Sequence, residues 1–411
     1  MQHRIERVRE RIDKLAESAR TAEGGVLRLT YTPAYKIGMD LVRGFMEAAG
    51  MTVRVDPLGN IFGRYAGQNE SLPAVLAGSH LDSVPNGGRF DGALGLITAI
   101  ECVNAWHDAG WRPPRPVEVV AMVEEEGTQF GIVMFGSQVL TGRMKSQTPE
   151  LILNRAGRSV AGLLEENGLD KNAFQSACLD PSKFRCFLEF HIEQGEELHR
   201  RGLSCGLVTD IVGIYRSWVT ITGKANHAGT TRMAARKDAL VAAAHLIQKS
   251  FEAALQSSDR YVATVGSVEV SPGVINIVPG RVSLPIEIRS ITNTEFEVAK
   301  DWLAAEFRTI DAKYGVQTEI TKTSFIPPTH LDERIVSVLR RAADAAQVKY
   351  LEMPSWAGHD AQVMASVMPT AMIFVPSIDG VSHAPQENTH WEDIDLGLRV
   401  YLRALTELAG K

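Results

Sequence analysis

The sequence predicts an α/β protein in two parts: a domain on a mixed, largely parallel sheet, and an α+β unit of four strands and two helices inserted into it. Three observations carry this. Apolar-rich runs at Ala74–Ala77, Val117–Val123, Phe184–His191 and Ala371–Val375 alternate with helical patterns, the order expected of parallel strands joined by crossover helices. From about Val212 the texture changes to a β-α-β-β-α-β order with two long helices. Pro327-Pro328 then marks a return to the first texture. The expected division is 1–211 with 328–411 for one domain and 212–327 for the insertion. A chain of 411 residues is long enough for a core in each.

Taken in order, Ile5, Val8, Ile12 and Leu15 recur at helical spacing within residues 1–20. Thr32-Pro33 suits the start of a second helix, with Ile37, Leu41, Val42, Phe45 and Met46 on its apolar face and Gly50 as its stop. Strands are expected at Val53–Val55 and Ile61–Arg64, around the turn Pro57-Leu58-Gly59-Asn60. Leu94, Ile97, Ile100, Cys102, Val103 and Trp106 mark a buried helix, and Pro113, Pro114 and Pro116 break the chain after it. Shorter helical patterns follow near Val160–Asn167 and Lys171–Cys178. The insertion reads as strand Trp218–Thr222, a helix from Lys237, strands Tyr261–Val270 and Arg281–Ile288, helix Thr294–Tyr314 and strand Val316–Thr321. The last segment carries helix Glu333–Ala345, a strand near Tyr350–Met353, helix Ala361–Ser366 and a final helix from Asp393.

Composition narrows the function. Hydrophobic content of 45% and charged content of 22% belong to a soluble globular protein. A formal net charge of −6 gives no basic footprint, so nucleic acid is not an expected partner. Cys102, Cys178, Cys186 and Cys205 contain no Cys-x-x-Cys pair, which argues against a thiolate metal site and fits a reducing compartment. The charged N-terminus lacks the apolar core of a signal peptide, and no apolar run approaches the ~20 residues needed to span a bilayer. A cytoplasmic protein without a membrane partner is expected.

The chemistry collects at strand ends. Ala77-Gly78-Ser79-His80-Leu81-Asp82 closes a predicted strand, and Gly87-Gly88-Arg89-Phe90-Asp91-Gly92 leads into a buried helix. His80 can offer an imidazole nitrogen, Asp91 a carboxylate able to bridge two ions, and Asp82 an acceptor for the other nitrogen of His80. A merely polar turn is the plainer alternative for this stretch alone. The strand at Val117 runs into Glu124-Glu125-Glu126, three acids that favour protonation unless cations neutralise them. His191 ends another strand, and His383 lies in the loop beyond the strand at Ala371. Strand ends of a parallel sheet converge on one edge. Nitrogen and oxygen ligands suit divalent zinc, manganese, cobalt or nickel. Glu125, beside a candidate ligand, is placed to act as general base toward water.

These residues also carry a resemblance. Gly78-Ser79-His80-Leu81-Asp82-Ser83, Gly87 to Gly92, Glu124-Glu125-Glu126-Gly127, Glu189 to Gly195, Asn226-His227-Ala228-Gly229 and Ser382-His383 resemble motifs of the hydantoinase/carbamoylase family of zinc-peptidase-like amidohydrolases, over nearly the whole chain. The resemblance implies a zinc-peptidase-like catalytic domain with an inserted dimerisation domain, hence a homodimer. It implies two divalent ions per subunit, one on His80, Asp91 and His191, the other on Asp91, Glu126 and His383. Glu125 becomes the base that later protonates the leaving nitrogen. His227 and Asn276 become groups that bind substrate and stabilise the oxyanion, in the family by reaching the partner's active site. Arg289 becomes a clamp for a substrate carboxylate, and Gln194, Gly358 and His359 further substrate contacts. The implied activity is cleavage of the ureido C–N bond of an N-carbamoyl amino acid or allantoate, releasing ammonia and carbon dioxide. Trp356-Ala357 and Arg232 depart from the family's usual residues. The rivals are an aminopeptidase or dipeptidase of the same clan and a non-catalytic dimeric binding protein. A phosphate-binding loop is disfavoured because no Lys-Ser/Thr follows Gly87-Gly88.

Overall fold

The computed structural model describes residues 1–410. By internal contacts the chain forms two units, Met1–Thr209 with the segment from Leu331 onward, and Asp210–His330. Strands of the first unit are β1 (Thr52–Val55), β2 (Ile61–Tyr65), β3 (Ala74–His80), β4 (Val117–Met122), β5 (Phe184–Ile192) and β6 (Cys205–Ile211, whose last two residues open the second unit). Those of the second are β7 (Gly213–Thr222), β8 (Asn226–His227), β9 (Tyr261–Thr264), β10 (Glu269–Ser271), β11 (Ile277–Val278), β12 (Arg281–Ser290), β13 (Gln317–Ile326) and β14 (Thr329–His330). The chain then returns with β15 (Tyr350–Ser355) and β16 (Thr370–Val375).

In the first unit the sheet runs β1-β2-β4-β3-β5-β16-β6, with β15 also on β6. The four central strands β4, β3, β5 and β16 are mutually parallel, while β2 on β4 and β6 on β16 are antiparallel. The sheet is therefore mixed, with a parallel core. Its register sets His80 beside Met122 and His191 beside Phe374, so the C-terminal ends of the parallel strands lie at one edge. All residues of β3, β4 and β16 are buried, the pattern of strands covered on both faces.

One crossover helix, Ala93–Asp108, is buried from Ala93 through Trp106 and packs on β3 and β5. Gly95 makes the approach possible. A Cβ there would lie 2.0 Å from the main-chain oxygen of Phe190, and main chain cannot step aside. Gly95→Ala is expected to destabilise the protein by about 1–3 kcal/mol through overpacking. A urea-unfolding midpoint equal to that of the wild type would refute this.

In the second unit β10-β12-β7-β13 form an antiparallel sheet, with β9 also paired to β12. Strand β12 alternates buried and part-exposed residues, and its buried side faces one core. Val282, Leu284, Ile286 and Ile288 join Leu246 of helix Ala239–Gln256 and Phe296, Leu303 and Ile310 of helix Asn293–Tyr314. One expectation needs correcting. The single strand expected at Tyr261–Val270 is broken between Thr264 and Glu269, and its two halves pair with separate stretches of β12. The sheet thus has five strands in four positions. Periodicity of two also missed the short ladder β8–β11, which sets His227 opposite Ile277.

Candidate metal centre

The parallel strands deliver their ends to one place, and glycines let the ends close up. Gly78, at φ +145°, brings β3 so near β4 that a Cβ would meet the Val120 oxygen at 2.0 Å. His80 closes the strand. Past the following loop Gly92, at φ +64°, lies under the His80 ring, where a Cβ would be 2.4 Å from its atoms. This lets Asp91 face the imidazole.

Asp91 is the hub. Its Oδ1 lies 3.4 Å from His80 Nε2 and 3.2 Å from His191 Nε2. Its Oδ2 lies 3.3 Å from His383 Nε2, which is itself 3.6 Å from Glu126 Oε2. Each carboxylate oxygen thus faces its own set of donors. In both sets, His80–Asp91–His191 and Asp91–Glu126–His383, the donor atoms all fall within 4.8 Å of one another. Glu125 joins His80 and Glu126 in a third such group.

The donors fit a cation. His80 Nδ1 is 3.1 Å from the Asp82 carbonyl oxygen, and His191 Nδ1 is 2.9 Å from that of Ile192, so both rings spend their Nδ1–H on main chain. The Gly92 N–H points at His191 Nε2 from 3.2 Å. With the proton on Nδ1 neither Nε2 can donate to Asp91 Oδ1, and acceptors that face one another call for a cation between them. The buried Glu126 Oε1 has no hydrogen-bond partner among the described residues.

Electrostatics give the same answer. Burial raises the carboxyls of Glu125 well above their ordinary range and of Glu126 to about 8. Burial raises Asp360 to about 7 as well. Asp91 goes the other way: burial opposes ionisation, but hydrogen bonds from His191, His383 and His80 hold it well below the usual range. Burial pulls His80 and His191 down, and the bond to Asp91 and neighbouring carboxylates outweigh it and raise both. His383 rises to about 9, chiefly through Asp91. Carboxyls that resist ionisation and imidazoles that hold a proton, gathered around Asp91, mark a pocket that favours added positive charge.

Asp82 works differently from the expectation. Its carboxylate is 3.7 Å from His80 Nδ1, beyond hydrogen-bonding range, and that nitrogen uses the Asp82 carbonyl instead. The carboxylate accepts the main-chain N–H of Glu125 at 3.0 Å and of Glu126 at 3.2 Å. Asp82 therefore holds the acidic segment. Glu124 assists it: at φ +54° it turns the chain, and its side chain accepts the N–H groups of Gln129 and Phe130.

Of the remaining candidates, Gln194 donates to Asp91 Oδ2 at 2.8 Å and approaches His383 Nε2 at 3.3 Å. His359 is buried, bonds Ser355 Oγ through Nε2 at 2.9 Å, and meets the His191 ring edge to face at 4.7 Å. Gly358 lies next to it, beside the Met134 side chain. His227, Asn276 and Arg289 belong to the second unit. The exposed His227 accepts the N–H groups of Gly229 and Thr230 on Nδ1, and the Asn276 carbonyl accepts from Ala228, so the short ladder brings these two together. Arg289 donates to Glu287, which also holds Arg216. Glu189, named in the sequence only as the start of a motif and given no role there, accepts from Ser79 Oγ at 2.7 Å and groups with His191 and His359. Its place two residues before His191 on one strand, hence on the same face, was the available signal.

Residues 76–407 match the model of the peptidase family M20/M25/M40. The chain is 37% identical over 402 residues to an N-carbamoyl-L-amino-acid amidohydrolase of Paenarthrobacter aurescens, covering 97% of this chain and 98% of the relative. It is 35% identical over 398 residues to an allantoate amidohydrolase of Bacillus subtilis, covering 97% and 96%. Its fold superposes on a hydantoinase/carbamoylase family amidase from Burkholderia multivorans with a TM-score of 0.91 at 32% identity, covering 100% and 99%.

Proposed function

Because the chain belongs to the M20/M25/M40 family, among its hydantoinase/carbamoylase amidohydrolases acting on C–N bonds, we propose that it hydrolyses the ureido C–N bond of an N-carbamoyl L-amino acid or of allantoate. The observation that carries this reading is Asp91, whose two oxygens face two separate donor sets. In the proposal His80, Asp91 and His191 hold one divalent ion and Asp91, Glu126 and His383 a second, drawn from zinc, manganese, cobalt or nickel. Bound ions of this kind supply Lewis-acid polarisation of the attacked carbonyl and make water more acidic. Glu125 takes the proton of the attacking water on its carboxylate and returns it to the leaving nitrogen, a shuttle that its buried setting favours. The products are the amine freed from the ureido group, an L-amino acid when the substrate is an N-carbamoyl L-amino acid, together with ammonia and carbon dioxide.

His227 and Asn276 are proposed to stabilise the oxyanion, and Arg289 to grip the substrate carboxylate with its planar fork. Gln194, Gly358 and His359 complete the substrate contacts. A homodimer is part of the proposal, supported by the exposed Leu240, Val241, Phe251 and Leu255 on helix Ala239–Gln256. Among the described residues no helix is long and apolar enough to cross a membrane.

Ammonia release from allantoate, N-carbamoyl-L-amino acids and N-carbamoyl-β-alanine tests the reading. Turnover of at least one is expected, and hydrolysis of dipeptides alone would overturn it. Arg289→Ala is expected to raise KM for the carboxylate-bearing substrate about tenfold or more, since a hydrogen bond to a charged group contributes roughly 1.5–3 kcal/mol. An unchanged KM would remove Arg289 from the site.

A further inference from the structure

Gln194 steadies one oxygen of Asp91 from the pocket side, and the loop that carries Asp91 has a second support behind it. We infer that Glu387, acting partly through Ser382, is a positioning residue that fixes the Asp91 carboxylate between its two donor sets. The inference rests on the proposed role of Asp91 as a bridge.

Glu387 is only 4% exposed and lies nearly 300 residues from Asp91 along the chain. Its Oε1 accepts the main-chain N–H of Phe90 at 2.9 Å and of Asp91 at 3.1 Å. Its Oε2 accepts the Ser382 hydroxyl at 2.8 Å, and that hydroxyl oxygen is 3.2 Å from Asp91 Oδ2. Ser382 directly precedes His383, which sits at φ +56°. One carboxylate therefore ties the loop that carries Asp91 to the loop that carries His383.

Gly88 is an independent sign that this contact shapes the site. Its backbone is not in the left-handed region, so conformation alone does not call for glycine there. A Cβ, however, would lie 2.0 Å from Glu387 Cδ and Oε1. The glycine makes room for the carboxylate to reach the amides of Phe90 and Asp91.

The hydrogen bonds distinguish one replacement from another. Ser382 has a single hydroxyl proton and faces two carboxylates. A glutamine at 387 can still accept both main-chain N–H groups on its carbonyl oxygen. Its amide can donate to Ser382 Oγ, which leaves the serine proton for Asp91. Alanine removes the bonds to Phe90, Asp91 and Ser382 that the 387 side chain makes.

The test is zinc affinity of the full-length protein, measured by competition with a chelator, beside thermal unfolding of the metal-free forms. Glu387→Ala is expected to bind zinc about 10–100-fold more weakly, the usual cost of losing a group that orients a ligand, with Glu387→Gln within about threefold of wild type. Ser382→Ala keeps the main-chain contacts of Glu387 and is expected to show a smaller loss, so it decides the matter if Glu387→Ala does not fold. Folded Glu387→Ala with wild-type affinity, Glu387→Gln as weak as Glu387→Ala, or Ser382→Ala with no loss would each overturn the inference. A wild-type protein that binds none of zinc, manganese, cobalt and nickel would overturn the metal centre itself, a different failure.

Discussion

Replacing Glu125 with glutamine is expected to lower turnover by about 10²–10⁴-fold, the range for removing a general acid–base group, while leaving metal content unchanged. The substitution conserves volume, and the main-chain N–H that Asp82 holds is untouched, so the segment keeps its course. What is lost is a carboxylate that can take a proton and give it back. Burial already raises this group well above the ordinary carboxylate range, which makes it a better base than an exposed glutamate. Ammonia release and elemental analysis of the same preparation check the result. Full activity would sink the mechanism, whereas loss of metal together with activity would turn Glu125 into a ligand.

Asp91→Ala is expected to be as damaging for a different reason. Both donor sets use this carboxylate, His80 and His191 on one oxygen and His383 on the other. Its loss deprives both ions of a ligand and leaves three neighbouring imidazoles without the anion that balances a bound cation. Since removing a mere orienting partner costs about 10–100-fold in affinity, loss of the shared ligand is expected to exceed about 100-fold for each ion. Metal content after dialysis should fall to near zero and hydrolysis to background. A variant that keeps two ions would show that Asp91 is not the bridge, and one that keeps a single ion would assign it to the other site alone.

Much of this centre was legible because parallel strands place their ends at a common edge, and an apolar run that stops at His80 or His191 marks such an end. Glu126 could be located in the same way from the strand before it. Direction was not legible. Asp82 follows His80 by two residues, and spacing alone did not tell that its carboxylate turns to the amides of Glu125 and Glu126. Nor could the left-handed turn at Glu124 be read, since glutamate rarely adopts it. Glu387 escaped because the two amides it holds are far off in sequence and it belongs to no periodic element. In the insertion, Tyr261–Val270 has a strand's composition throughout, and only the pairing with β12 reveals the break.

The place of β16 has a consequence for how the molecule is made. It lies between β5 and β6, though it is the last strand in the chain. A ribosome finishes β5 and β6, and then the whole of Asp210–His330, before residues 370–375 emerge. Through that interval two strand edges that will end up interior remain unpaired, one of them lined by Phe187, Leu188, Phe190 and Ile192. Exposed apolar edges of this kind are templates for joining the wrong chain, so premature termination anywhere in the insertion would yield a sticky fragment. The same late segment brings His383 and Glu387. Closing the sheet and completing the donor sets are thus one event in synthesis, and a chain able to hold its full complement of ions has already buried its most hazardous edges.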